Sequence, residues 1–246
     1  MVKVGRVSYL NTLPLFYRFQ DERIQLVDGH PSHLVDLLRK NVIQAGIVSS
    51  VEYLMRKDLY RVVPGISISS REKVCSVGIF SKRSKDNIRT VFLTPLSLTS
   101  RYLSMYVIEV LWNRDVVYVE DPSEADALLL IGDEALMEKK RGLYPYFYDL
   151  GEEWFKKHSL PFVFALFLVR KDAPPWLWEV IHHLCQTSLQ EFYSRLRDGK
   201  IRIDGFEEDE VKSYFTECIG YELGQEEMAS LQIFMEFLAG RGILLL

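Results

Sequence analysis

Ser8, Tyr9, Asn11 and Thr12 place two hydroxyls, a phenol and an amide within one short stretch of SYLNTLPL. The apolar pattern of Val4 to Val7 precedes them and breaks at Ser8. Leu13-Pro14 follows, and proline is at home in the first turn of a helix, where its missing N–H would be unpaired anyway. The stretch therefore reads as strand, polar loop, helix start. In an α/β protein such a loop lies at the carboxyl end of a strand, where ligands collect, and the free N–H groups of the helix start favour an anion. Three further stretches have this character. Ser49-Ser50 stand with Glu52 and Tyr53 after a buried strand; Cys75-Ser76 precede an apolar run; Ser97, Thr99 and Ser100 lie in TPLSLTSR, Thr94 to Arg101. Taken singly, each set also reads as ordinary capping chemistry, the commoner use of such residues. Helix starts from two halves of a molecule converging on one cleft would suit a small dianion with its acidic groups on different sides. Asp133, in Ile131-Gly132-Asp133, is either a cap for EALMEKK or a cleft-facing carboxylate that orders donors or takes a proton.

Other chemistries find little support. His30, His33, His158, His182 and His183 do not pair with cysteine or carboxylate at metal-ligand spacing, so no metal and no cofactor is expected. There is no GxSxG, no P-loop and no GxGxxG. Cys75, Cys185 and Cys218 are odd in number and far apart, which argues against a disulfide framework and for a reducing compartment. A formal charge of −4 gives no electrostatic case for nucleic acid or an anionic membrane. No apolar run approaches the ~20 residues that span a bilayer, and no signal-peptide pattern is evident. A cytoplasmic protein is the expectation.

The elements that would position these residues alternate. IQLVDG reads as a strand and PSHLVDLLRKN as a helix with Leu34, Val35, Leu37 and Leu38 on one stripe. AGIVSS reads as a buried strand with a helix after it, which completes a βαβαβ rhythm and argues for a parallel sheet. RVVPGISISS and VCSVGIFSKR are β-rich. The charged stretch Lys82 to Arg89 is a candidate hinge, after which TVFLT, a helix, VVYVE, DALLLIGD and EALMEKKR form a second α/β pattern. VCSVGIFSKR and PFVFALFLVRK are read as strands that leave for and return from this second lobe, and the rest is helical. The expected division is a larger lobe from residues 1–84 plus 162–246 and a smaller α/β lobe from 85–161. A ligand cleft would lie between lobes joined by two crossovers. The 48% hydrophobic content is ample for both cores.

SYLNTLPL, SSVEYL, ISIS with CSVGIFSK, TPLSLTSRYL, ALLLIGDEAL and DLGEEWFKKHSLPFVFALFLVRK occur in this order over most of the chain. Together they resemble the chorismate dehydratases (MqnA family) of the futalosine route to menaquinone. Departures are slight: Val48 where a proline often precedes the serine, and His158 where a small polar residue is usual. The two-lobe reading above is the arrangement of the periplasmic-binding-protein type II-like fold. The resemblance implies a hydro-lyase that removes water from chorismate to give 3-[(1-carboxyvinyl)oxy]benzoate, with Asn11 as the central catalytic residue. The substrate's own enolpyruvyl carboxylate is the expected base. Ser8, Tyr9, Thr12, Ser50, Ser76, Ser97, Thr99, Ser100 and Asp133 are the candidate substrate-binding residues. The related 1,4-dihydroxy-6-naphthoate synthase is the weaker enzyme reading, because its opening motif has a Cys-Pro-Asn-Asp character where this chain has SYLN. A non-catalytic solute-binding or sensor domain for a small dicarboxylate is the reading from another class. The expected partner is the small molecule alone; the oligomeric state, a homodimer included, is left open.

Overall fold

The computed structural model describes residues 1–244. In chain order the first elements are β1 (Val2–Val7), a 3-10 turn (Leu10–Thr12) running into α1 (Leu13–Phe16), β2 (Ile24–Gly29), α2 (Pro31–Arg39), β3 (Ala45–Ser49), α3 (Ser50–Met55) and β4 (Tyr60–Ser70). Then come β5 (Val77–Ser81), β6 (Thr90–Leu93), α4 (Leu98–Met105) continuing as a π-helical stretch (Tyr106–Leu111), β7 (Val117–Val119), β8 (Ala127–Ile131), α5 (Gly132–Arg141), β9 (Tyr146–Asp149) and α6 (Leu150–His158). The chain closes with β10 (Val163–Arg170), α7 (Trp176–Arg197), α8 (Glu208–Ser213), a π-helical turn (Tyr214–Cys218), β11 (Ile219–Gly220) and α9 (Gln225–Gly240).

These strands form two mixed sheets. One has six strands in the order β11-β4-β10-β3-β1-β2, the other five in the order β7-β6-β8-β5-β9. In the first, β1 pairs in parallel with β2 and β3, while β10 lies antiparallel between β3 and β4. In the second, β6 is parallel to β7 and β8, and β5 is antiparallel to β8 and β9. All five residues of β3 and all five of β5 are buried, as expected for apolar runs covered on both faces. Trp154, Phe162 and Phe234 make edge-on contacts where α6, the chain before β10 and α9 meet. Burying each such ring is worth roughly 1.5–3 kcal/mol.

Three sequence expectations change. The chain passes from one sheet to the other between β4 and β5, because Val77–Ser81 is inserted between β8 and β9. Residues 82–89 are therefore not a hinge; they hold a short 3-10 turn (Lys85–Asn87) between two strands of the same sheet. Glu52 does not face the cleft. It is fully buried, takes three contacts from the Arg39 guanidinium, and accepts the Tyr60 hydroxyl at 2.9 Å. Finally, Cys75 and Cys218 form a disulfide. They are 143 residues apart, but β11 returns the chain antiparallel to β4, with the Arg71 N–H donating to the Cys218 carbonyl at 3.1 Å. Cys185 remains a free, buried thiol whose pKa is pushed up by burial.

The crossings between sheets are pinned by one carboxylate. Asp149 caps α6 through the Glu152 N–H at 3.1 Å and accepts the N–H groups of Val74 at 3.0 Å and Cys75 at 2.6 Å. Burial raises its pKa, against the pull of those donors. Gly151 makes the approach possible, since a Cβ there would lie 2.9 Å from both Ser70 Cβ and Val74 N. No helix among the described residues is long and apolar enough to cross a membrane.

Candidate active site

Between the two sheets lies a narrow cavity lined by Tyr9, Asn11, Thr12, Ser49, Ser97, Ser100 and Gly132, with Val7, Ile47, Val74, Val77, Ile131 and Phe164 as its apolar walls. Its free space is about 50 Å³, against the ~300 Å³ or more of an occupied small-molecule pocket. As it stands the cavity is too small to hold a ligand of ordinary size. A larger groove of about 730 Å³ runs on another face beside α7 and α9, with both charge signs on its walls and none of the candidate loops. We take the smaller cavity as the site because the converging polar loops and helix starts are there.

Asn11 is the focus. It sits in the 3-10 turn after β1, and its side-chain oxygen is buried without a hydrogen-bond partner. Buried polar atoms are nearly always paired, so an orphan facing a cavity marks a place where a ligand can pay the desolvation cost. The loop around it is held firmly. The Thr12 hydroxyl is 2.6 Å from the Val7 carbonyl and 2.9 Å from that of Tyr9, and the Tyr221 hydroxyl donates to the Asn11 carbonyl at 2.7 Å. From the other lobe, Asp133 accepts the Leu10 N–H at 2.8 Å.

Tyr9 closes the wall on that side. Its ring lies against Gly132, where a Cβ would come within 2.8 Å, and Gly132 has φ +62°, a region L side chains rarely adopt. Its hydroxyl is 3.2 Å from His30 Nδ1. Burial, with Asp133 and Glu134 nearby, pushes the Tyr9 phenol up to about 12, so it stays a neutral donor. Burial likewise raises the Asp133 carboxyl, opposed by the Leu10 N–H.

The other candidates divide by their partners. Ser97 is the N-cap of α4, its oxygen accepting the Ser100 N–H at 3.3 Å, and both hydroxyls line the cavity beneath the helix start. Ser49, not singled out over its neighbour by the sequence, lines the cavity 3.5 Å from Ser97. Ser50 instead donates to the Val163 carbonyl at 2.8 Å and meets Thr99 at 3.2 Å, a hydroxyl pair that joins the lobes. Ser76 is fully buried, accepts the Tyr214 hydroxyl at 2.9 Å and stands behind the wall formed by Val74 and Val77. Ser8 is exposed, and Ser8, Ser50, Ser76, Thr99 and Asp133 do not line the cavity. Asp149 was missed, although Asp149-Leu-Gly-Glu152 ahead of a helix carries a capping signature.

Among the described residues no lysine or arginine lines the cavity. An anion there would be held by backbone N–H groups, hydroxyls and the start of α4, a neutral arrangement that oriented dipoles can sustain. Among the described residues no group of three or more His, Cys, Asp or Glu is placed to hold a metal ion.

The chain is similar to several known proteins. A chorismate dehydratase of Thermus thermophilus is 29% identical over 192 residues, covering 70% of this chain and 71% of that protein. Another, from Campylobacter jejuni, is 25% identical over 94% of this chain and 95% of its own length. Among solved structures, a protein from Archaeoglobus fulgidus superposes with TM-score 0.77 at 18% identity, covering 99% of this chain and 98% of that one. The alkanesulfonate-binding protein of Xanthomonas axonopodis pv. citri gives 0.68 at 14%, covering 100% and 94%. These two likenesses carry the fold alone, which is the periplasmic-binding-protein type II-like arrangement that the sequence implied. The profile of the menaquinone biosynthesis family matches residues 2–240, and the chain belongs to that family.

Proposed function

We propose that this protein is a chorismate dehydratase, converting chorismate to 3-[(1-carboxyvinyl)oxy]benzoate and water. The observation that carries the reading is the buried, unpartnered Asn11 oxygen between two polar helix starts, in a chain whose relatives in Thermus and Campylobacter are chorismate dehydratases. Chorismate carries two carboxylates and a ring hydroxyl. A site with anion-favouring backbone on both sides and one central amide suits it.

The reaction removes a proton from the ring carbon bearing the ether and hydroxide from its neighbour, leaving an arene. Aromatisation supplies the driving force, so the protein needs only to orient the substrate and stabilise charge that builds toward the ring carboxylate. That carboxylate would lie at the start of α4, against Ser97 and Ser100. The Asn11 side-chain oxygen would accept the ring hydroxyl's O–H and so orient it, and the amide NH2 would donate to that hydroxyl oxygen as it leaves. The substrate's enolpyruvyl carboxylate, next to the departing proton, would serve as base and pass the proton to the leaving hydroxide. Ser76, which does not line the cavity, would bear on the site by anchoring the Val74–Val77 wall and not by touching substrate. A cytoplasmic setting accords with this substrate.

The test is incubation of purified protein with chorismate, following ultraviolet absorbance and product mass. Loss of one water with an aromatic enolpyruvyl ether appearing is the expected result. Chorismate recovered intact, bound or unbound, refutes the reading.

A further inference from the structure

Asn11 and Ser76 are both held from behind by one short piece of chain, residues 214–221. The Tyr214 hydroxyl donates to Ser76 Oγ at 2.9 Å, and the Tyr221 hydroxyl donates to the Asn11 carbonyl at 2.7 Å. Between the two tyrosines, Cys218 is bonded to Cys75, the chain neighbour of Ser76. The piece is itself fixed. The Ser67 N–H donates to the Tyr221 carbonyl at 3.0 Å, the Arg71 N–H to that of Cys218 at 3.1 Å, and the Tyr193 hydroxyl to that of Phe215 at 3.0 Å.

Such a strut answers a physical need. A loop that keeps an amide oxygen buried and unpaired gains by rearranging to pair it, so it stays put only if its surroundings over-determine it. The backbone at Asn11 has one restraint from this segment and the Thr12 and Asp133 contacts from its other sides. Both tyrosines are buried. Burial raises the pKa of each, so both hydroxyls keep the proton they donate.

We infer that Tyr221 and Tyr214 are positioning residues for the dehydration: Tyr221 fixes the backbone that aims the Asn11 amide into the cavity, and Tyr214 fixes Ser76. The inference rests on the function proposed above. Neither tyrosine touches substrate; each acts through the residue it holds. Misplacement of a reacting group by about 1 Å can cost on the order of 100-fold in rate, and loss of one of several restraints should cost less.

The experiment compares Tyr221→Phe and Tyr214→Phe with wild type for kcat, KM and Tm on chorismate. Trp178→Phe, which removes a hydrogen bond to the Val62 carbonyl far from the cavity, controls for general loosening. Each tyrosine variant should lower kcat roughly tenfold with KM within about threefold, because orientation rather than uniform binding is lost. Its Tm should fall by only a few degrees, and Trp178→Phe, destabilised to a similar extent, should keep kcat. Either tyrosine variant decides alone if the other does not fold. Wild-type kcat in the tyrosine variants, or the same kcat loss in Trp178→Phe, overturns the inference while the dehydratase stands. Wild type that leaves chorismate intact is a different result, and it overturns the function and this inference together.

Discussion

Asp133 offers the sharpest quantitative prediction, because it spans the cleft without lining it. Its carboxylate accepts the Leu10 N–H at 2.8 Å, from the start of α5 in one lobe to the site loop in the other. A bond between an amide and a charged group is worth about 1.5–3 kcal/mol. The desolvation that raises the Asp133 pKa outweighs the charge assistance of that bond, so the expectation for closure rests on the cost of leaving the Leu10 N–H without an acceptor, about 1–2 kcal/mol. Asp133→Ala should therefore weaken ligand affinity roughly 5- to 30-fold, since the cost falls on the closed form alone. In Asp133→Asn an amide oxygen still accepts the bond without charge, and the loss should stay within about 5-fold. The assay is KM for chorismate with calorimetric affinity for its dehydrated product, and kcat should change less than either. The pH dependence has a definite sign. Asp133 stands above its ordinary carboxylate pKa in this structure, so a form that exposes it to water would bind fewer protons. Affinity should fall as pH rises from the ordinary carboxylate value near ~3.9 through the raised value, then level off. Asp133→Asn should abolish that limb. Wild-type affinity in Asp133→Ala, or a kcat loss at constant KM, would refute the clasp.

Two predictions concern stability. Cys218→Ser opens a loop closed over a sequence separation of 143, for which chain entropy gives an upper bound of about 5 kcal/mol. At roughly 2–4 °C per kcal/mol, Tm should drop by up to about 10–20 °C by calorimetry, and an unchanged Tm would argue against the bridge. At high pH, Tyr60, Tyr214 and Tyr221 matter, because burial raises all three phenols above their ordinary value of 10.0. Above pH ~10 the unfolded chain releases these protons while the folded chain keeps them. Folded stability should thus be intact below pH ~10 and fall as pH rises beyond it, by up to about 1.4 kcal/mol per pH unit for each buried tyrosine. Urea titrations at pH 9, 10 and 11 would read it, and a flat profile would contradict their burial.

The alternating strands and helices and the opening strand-turn-helix unit were legible in the sequence because their signals are local. The strand before Ser8, the stripe of Leu34 and Leu38, and the apolar run of β10 are periodicities that tertiary packing confirms. What escaped depends on contacts remote in the chain. Cys75 meets Cys218 only through β11, a strand of two residues with no pattern to announce it. Glu52 reads with the cleft loops because it follows Ser49-Ser50 at the end of a buried strand; its partner Arg39 lies on another helix. Hydroxyl-rich stretches could be placed near the cleft, but which hydroxyl faces it and which joins the lobes depends on helix rotation. Ser97 and Ser100 face the cavity while Thr99, between them, bonds Ser50.

The most direct measurement of the central claim is the chorismate conversion rate of Asn11→Ala beside wild type, with folding of both verified by circular dichroism. An amide that contacts the leaving hydroxyl through one hydrogen bond to developing charge is worth about 1.5–3 kcal/mol, so kcat/KM should fall roughly 10- to 150-fold or more. Near-full turnover by folded Asn11→Ala would contradict the assignment of this cavity as the place of reaction.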